Sequence, residues 1–516
     1  MLDTSHLLIL GAVALGYLVY RSSQQDSGEP PSVSGSIPVI GHMLGMLKGG
    51  LGYFGTLGDK YPDLPIFLAD MFFTKFYVVT SPELLQAAQR HRTLNFDSIL
   101  DFSVSNMSGV KSEKTINLLK SKSTGGEGVA NRVLHAMAPK LSGEGLDRMN
   151  LRMVKLLAPF LDQLGGQPTT DLYKWCRETI TAASTDAVYG PLNPYKDEAV
   201  VDAWWQFDAN LGPLLPNVQP WLLARKAWTA REKIVDAIVK YVESNGPEQG
   251  SELTKIRLKT TLDSGVSVEE YARLEMTLLL ALLPNSVPAT FWMVFDICSR
   301  PQLLAEIRDE IALNALSKAA DGTHIIDVAS LRDRCPLLVS TYQEILRTRS
   351  TSVTLRSITK DTLLADKYTL KQGNMLLMAA NQIGEKSKVW GSTANDFNPR
   401  RYMKSVPSEN GSEEKKDPRR PGGFMAFGIA PVICPGRHFA SSEIVALAAM
   451  LVMRYDITPE SGVWTAPERD PKALISSTCP IQGGFPVKVK TREAYEGVKW
   501  DFEVQAGKGQ FPLSIG

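Results

Sequence analysis

The chain has 516 residues, 44% hydrophobic and 22% charged, which is ample apolar material for a large globular core. Its 56 Lys and Arg nearly balance 55 Asp and Glu, so no basic field points to nucleic acid. Five scattered cysteines without a CxxC argue against a disulfide framework, and six histidines without an HExxH give zinc no support. GxSxG, the P-loop and GxGxxG are also missing, which removes the usual hydrolase, NTPase and dinucleotide fingerprints.

The first element is "LLILGAVALGYLVY", residues 7 to 20, uncharged and followed at once by Arg21. As a helix it spans about 21 Å, short of the roughly 30 Å hydrocarbon layer. Two readings fit this length, a signal-peptide core and a signal anchor. No clear small-x-small cleavage site follows, residues 3 to 6 can extend the helix, and the adjacent positive charge lies after it. These features favour an anchor with the body in the cytosol. The Pro/Gly/Ser-rich stretch 27 to 41 reads as a stiff connector. The expected organisation is a membrane anchor over 1–22, a hinge over 23–49 and one catalytic domain over 50–516.

Within the body, "FYVVT" predicts a strand, and "SPELLQAAQRHR" a helix with Ser81 as N-cap and Pro82 at its first position. Residues 140 to 245 alternate amphipathic helical patterns with Pro-bearing loops. "SVEE", a capping box from Ser267 to Glu270, opens an apolar helix expected to run to about Cys298 through the protein's interior. "RPQLLAEIRDEI" and "CPLLVSTYQEILRTRS" predict two more helices, and "TLLADKYTLKQGNMLL" a small hairpin. The class is mainly α with minor β.

Three stretches carry chemistry. In "LLPNSVPATFW" Pro288 has no N–H, so the carbonyl of Pro284 loses its helical partner, with polar Asn285 and Ser286 at the break. This is either a packing kink or a groove opened for a ligand. "EILR" sets Glu344 and Arg347 one turn apart, and Arg401 in "FNPRRYM" can close a buried triad with them. The third, "FMAFGIAPVICPGRHFA", surrounds Cys434 with a loop lacking charge. Gly436 lets a flat partner approach the backbone, a helix begins beside the sulfur, and Phe427 can cover it. Taken alone, this loop leaves Cys434 as either a buried structural thiol or a metal ligand.

In that order, the anchor, the hinge with "SIPVIGH", the kinked helix, "EILR" as ExxR, "FNPRRY" as the PERF-like turn and F-x₆-C-x-G resemble the cytochrome P450 superfamily over nearly the whole chain. "NSVPATFW" and "ICPGRHFA" are especially similar to the branch of sterol 7α-hydroxylases and prostacyclin synthase. The resemblance implies that Cys434 is the axial thiolate of haem b, in a loop that includes Phe427, Gly436 and Arg437. It implies that Glu344, Arg347 and Arg401 form the structural triad, and that Arg356 in "TLRSITKD" pairs with a haem propionate. Arg132 is a weaker propionate candidate, because Gly128 stands where WxxxR has its Trp. Ala430 and Val432 replace the glycine and arginine of the common FxxGxRxCxG loop, which shifts weight to Arg356.

The resemblance implies a haem-dependent monooxygenase inserting one oxygen from O2 into a bulky apolar substrate (terpenoid, steroid, polyketide or alkaloid). Electrons come from NADPH through a flavin-containing P450 reductase, with "EEKKDPRRPGG" (413 to 423) and Arg437 available for docking. The expected setting is the endoplasmic reticulum membrane, as a monomer, in natural-product biosynthesis. Asn285 and Ser286 replace the family's acid–threonine pair and are the candidate catalytic residues. An isomerase or dehydratase needing neither O2 nor reductase is the alternative reading, and a non-enzymatic haem protein is a third. Substrate contacts are expected within 95 to 130, 205 to 225 and 475 to 485.

Overall fold

A computed structural model describes residues 16, 26–37, 41–71, 74–119, 128–165, 169–350, 353–379, 390–403, 424–429, 432–470, 473 and 476–504. The apolar run 7–20 and the basic stretch 413–423 thus lie outside the described residues, Gly16 apart. The architecture is mainly α, with one five-stranded sheet and several smaller ones, some of whose strands share the helical core.

Helix α1 (Pro82–Arg90) starts as its sequence dictates: the Ser81 hydroxyl accepts the Leu84 N–H at 3.2 Å, and Pro82 sits in the first turn. The core lies between α2 (Gly143–Leu164), α3 (Leu172–Tyr189) and two helices further along. These are α4 (Val268–Glu275) and α5 (Leu278–Cys298), where the apolar pattern predicts one helix from 267 to 298. The break has a local cause. Around Met276 and Thr277 the backbone tightens to three-residue bonds, Thr277 N–H to the Leu274 carbonyl and Leu280 N–H to the Thr277 carbonyl, both at 3.2 Å. The Thr277 hydroxyl also donates to the Leu274 carbonyl at 2.6 Å, competing with the helical ladder.

Only half of the predicted capping box forms. Ser267 accepts the Glu270 N–H at 3.3 Å, but the Glu270 carboxylate accepts the N–H groups of Lys111 and Ser112 at 3.1 and 3.2 Å. Helix α5 stays continuous through both Pro284 and Pro288. Residues Val268–Cys298 are long and apolar enough to cross a membrane, yet this stretch is mid-chain and buried in the core.

Next come α6 (Pro301–Asn314) and α7 (Pro336–Thr348). The Glu310 carboxylate of α6 accepts the Leu337 and Leu338 N–H groups at 2.8 and 2.9 Å, capping the first turn of α7. The last long helix, α8 (Arg437–Arg454), is buried over most of its length against α5 and α2.

The main sheet takes β1 (Ile66–Asp70), β2 (Lys75–Val79), β3 (Leu94–Asn95), β4 (Val353–Ile358) and β5 (Met375–Ala379) in the order β1-β2-β5-β4-β3. β5 runs parallel to β2 and antiparallel to β4, where Arg356 lies opposite Leu376. Alternate residues feed two separate clusters: Ile66, Leu68, Tyr77 and Val79 on one face, Phe67, Ala69, Phe76 and Val78 on the other. The predicted hairpin pairs Thr362–Leu364 with Tyr368–Leu370.

The stretch expected as a connector is docked on this sheet. Ser32 bridges Leu68, and the buried Glu29 carboxylate binds the Lys75 ammonium at 2.9 Å and the Tyr77 hydroxyl. His42 ties Val33 to Tyr53, with both ring nitrogens at 2.9 Å from their partners.

Candidate active site

The cysteine loop is a short hairpin. Gly428–Ile429 pairs with Val432–Ile433, and the Cys434 N–H donates to the Phe427 carbonyl at 2.8 Å. Gly428, at φ +95°, makes the turn after Phe427, a conformation open to glycine and strained for other residues. Ala430 lies outside the described residues, and only the backbone of Val432 is described. Arg437 opens α8 and returns its Nη1 to the Cys434 carbonyl at 3.0 Å.

The Cys434 side chain is exposed, yet enough protein surrounds it that burial pushes its thiol above the ordinary value. Cys434 is thus open to solvent on one side and enclosed by protein on the other. The N–H groups of Gly436 and Arg437, with the Arg437 charge, pull in the other direction and favour the thiolate. A Cβ built on Gly436 would lie 3.9 Å from the sulfur and meet nothing else within 4 Å, so the backbone beside Cys434 is open to a partner. This donor set fits a haem iron.

A second accessible strip lies on α5. Thr277, Leu282 and Asn285 are half-buried and Ala281 is exposed, whereas residues 286–298 are buried throughout. The spacing 277, 281, 285 is one helix face. Asn285 and Ser286 do not act together. The Asn285 Oδ1 accepts the Ser477 N–H at 2.6 Å, tying α5 to the loop after residue 475. Ser286, 3% exposed, turns toward Glu443 of α8. Glu443 is fully buried and accepts the Ser184 hydroxyl at 2.6 Å; desolvation raises its pKa to about 8, with Ser184 and Ser286 opposing the shift. Its carboxyl is therefore largely protonated at neutral pH.

Glu344, 0% exposed, gathers both arginines expected around it. Arg347 binds its two oxygens at 2.8 Å each, and Arg401 Nε reaches both at 2.9 and 3.1 Å. The second positive charge is spread over carbonyls: Ala394 accepts from Arg347, and Thr393 and Asp396 accept from Arg401, at 2.7 to 2.8 Å. From Arg401 a chain of rings leads toward the cysteine. Its guanidinium lies 5.1 Å from the Trp390 ring, and Trp390–Tyr402, Tyr402–Phe424 and Phe424–Phe427 follow at 5.6, 5.5 and 6.4 Å.

Arg356 is buried, donates to the Leu355 carbonyl at 2.9 Å and lies 5.6 Å from the Phe96 ring. Arg132 is exposed on the helix Val129–Met137, which Gly128 precedes in extended conformation. Sequence reasoning missed Gly428, Glu443 and Ser477. The Phe-Gly pair was a signal for Gly428; a lone glutamate after two serines and a loop N–H gave none.

Comparison with known proteins agrees with the motifs. The family model for cytochrome P450 matches residues 30–482. The chain is 37% identical to cytochrome P450 monooxygenase nodJ of Hypoxylon pulicicidum over 99% of both chains. It is 25% identical to a cytochrome P450 monooxygenase of Gibberella zeae over 97% of both. Cytochrome P450 7B1 of Mus musculus shares 23% over 87% of this chain and 88% of its own, so the likeness to the sterol-hydroxylase branch is not the stronger one. A loop that presents an exposed cysteine, and an ExxR pair and a distant arginine that close on one carboxylate, are thus found in a chain that matches one family nearly end to end: the protein belongs to the cytochrome P450 family and is a haem b-dependent monooxygenase that oxidises apolar substrates with electrons from NADPH through a reductase.

Proposed function

We propose that Cys434 holds the haem iron and that the accessible face of α5 orients an apolar substrate, of terpenoid, steroid, polyketide or alkaloid type, above it. The single observation that carries this is the Cys434 sulfur, exposed to solvent within a desolvating shell. Haem b, when bound, would supply dioxygen activation: one oxygen atom of O2 enters the substrate and the other leaves as water, with two electrons from NADPH. The protein's own residues do the rest. Thr277, Ala281, Leu282 and Asn285 present a wall of two apolar and two polar side chains against which the substrate lies. Arg356, with Arg132 and Arg437, supplies positive charge for the propionates. The triad of Glu344, Arg347 and Arg401 stiffens the cysteine loop through the ring chain from Trp390 to Phe427.

The finer placement is a microsomal enzyme with a membrane anchor over 1–22 and a catalytic domain over 50–516, the hinge 23–49 docking in its second half. A patch supports the membrane side: Val218, Trp221, Leu222 and Leu223 are exposed around the short helix Pro220–Leu223, followed by exposed Arg225 and Lys226. A flavin-containing P450 reductase is the proposed electron donor, and the protein acts as a monomer.

The test uses the full chain with reductase, NADPH, labelled dioxygen and a panel of apolar metabolites. The expected result is one labelled oxygen in the product and loss of the reduced-CO Soret band at the thiolate position in Cys434→Ala. Turnover without dioxygen and reductant would instead assign an isomerase, a reading favoured by one observation: Asn285 and Ser286 point to different partners and form no acid–alcohol pair.

A further inference from the structure

A cavity of about 280 Å³ opens beside the end of α7. Arg347 and Arg349 line it from that end, Asn395 and Phe397 from the turn after Thr393, and Arg469 from the segment ahead of residues 476–481. No acid lines it among the described residues. The acids nearest in sequence, Asp396, Glu468 and Asp470, stand outside its wall, and the first two are exposed to solvent, which screens them. The charge around the cavity is unbalanced. Arg347 and Arg401 share the Glu344 carboxylate, and Arg300 and Arg349 share that of Asp296. Arg469 pairs with no carboxylate among the described residues, and its Nη2 donates to the Thr348 carbonyl at 3.3 Å.

Arg349 holds an unspent donor in a fixed position. Its side chain is only 14% exposed. Its Nε and Nη2 donate to Asp296 at 3.0 and 2.7 Å, and its guanidinium lies 4.1 Å from the Trp292 ring. Nη1, with two hydrogens, has no partner among the described residues and is left for the cavity that Arg349 lines. The backbone around it is pinned. Cys479 N–H donates to the Arg349 carbonyl at 2.9 Å, Trp292 Nε1 to the Cys479 carbonyl at 2.7 Å, and the Ser350 hydroxyl to the Ser477 carbonyl at 3.1 Å. Two carbonyls at the end of α7, those of Thr348 and Arg349, are thereby capped by donors, which blunts the negative pole an anion would otherwise meet.

We infer that this cavity is a binding site for a phosphate group, as the free ion or as a monoester. Its volume falls just under the roughly 300–1,000 Å³ of small-molecule sites, too little for a bulky apolar substrate. Guanidinium forks match phosphate oxygens and stay charged at any working pH. A phosphate group brings at least three acceptor oxygens and a charge of about −2, enough for Arg349, Arg469 and the Asn395 amide together. A carboxylate brings two oxygens and one charge. Bound there, the phosphate ties the end of α7 to the turn at 394–397 and to Arg469. The site owes nothing to the haem-binding reading of Cys434.

The test is calorimetric titration of the haem-loaded full chain with inorganic phosphate, phenyl phosphate and acetate, at one ionic strength set with sodium chloride. The expected result is saturable phosphate binding that Arg469→Gln weakens about tenfold. Arg349→Lys, which keeps a charge for Asp296 but lacks the fork, weakens it about as much, while Arg148→Gln, at an exposed position of α2, leaves it unchanged. Hydrogen exchange with phosphate present slows in peptides covering 391–398. Tighter binding of phenyl phosphate assigns a monoester, and equal or weaker binding assigns the free ion. Because Arg469 is exposed, its replacement leaves the fold intact and its result stands even where Arg349→Lys fails to fold. No saturable binding of either phosphate, an affinity unchanged in Arg469→Gln, or acetate binding as tightly as phosphate would overturn the inference.

Discussion

Cys434 and Phe427 are joined by a backbone hydrogen bond of 2.8 Å that closes the loop beneath the sulfur, and the turn it closes depends on Gly428 at φ +95°. Gly428→Ala should cost about 1–2 kcal/mol in that loop, because an L-residue there is strained. The expected outcome is weaker haem retention with the helical fold intact, checked by the reduced-CO band alongside far-UV circular dichroism. A full band at the thiolate position in Gly428→Ala would count against the loop's dependence on this turn.

The Glu344 carboxylate pairs with two guanidiniums at once. Glu344→Gln removes the charge that both of them meet in a buried site, and a loss of about 3–5 kcal/mol is expected. Arg401→Lys keeps charge but loses the planar fork that serves Thr393 and Asp396 as well as Glu344, so a smaller loss, about 1–2 kcal/mol, is expected. Denaturant midpoints measure both. An unchanged midpoint for Glu344→Gln would refute the structural role.

Glu443 gives stability a pH dependence of known sign. Its carboxyl has a pKa of about 8 in the fold and an ordinary value near 4.5 when unfolded. Between those values the unfolded chain releases a proton that the native protein keeps, so stability falls as pH rises, by about 1 kcal/mol per unit, and levels off above the folded pKa. Glu443→Gln keeps an acceptor for Ser184 and does not ionise. Its midpoint should therefore change less between pH 6 and pH 8 than that of the wild type, in parallel denaturant titrations. Parallel pH profiles would show that Glu443 is ionised in the fold.

Arg356 and Arg132 differ in how well they are held. Arg356 is buried on β4 with its guanidinium fixed by the Leu355 carbonyl and near Phe96, whereas Arg132 is exposed. A pre-positioned cation binds a carboxylate with less ordering cost. Arg356→Ala should thus release haem to apomyoglobin roughly tenfold faster than wild type, and Arg132→Ala only about twofold faster. The opposite ranking would assign the main propionate contact to Arg132.

What the chain disclosed in advance was the local and the periodic. Ser81 with Pro82 and the i, i+3 spacing of Glu344 and Arg347 follow from short-range geometry, whereas the split of β1 and β2 between two clusters emerged only from the sheet. The break at Thr277 was hidden because hydrophobic patterning does not register a hydroxyl that competes for one carbonyl. The partner of Asn285 was hidden for another reason. It lies 192 residues away and is a backbone N–H, which no side-chain pattern announces. Glu443 was missed because a glutamate after two serines reads as an ordinary polar turn of a helix, and only the packing of α3 and α5 against it reveals the buried polar pocket.

Residues 477–479 are gripped by their peptide groups, and the side chains of Thr478 and Cys479 are buried as well, so the path of this loop is written into backbone and packing together. Proline at 477 or 479 is the forbidden letter there, since it deletes a gripping N–H and would unseat the loop from the helix beneath it.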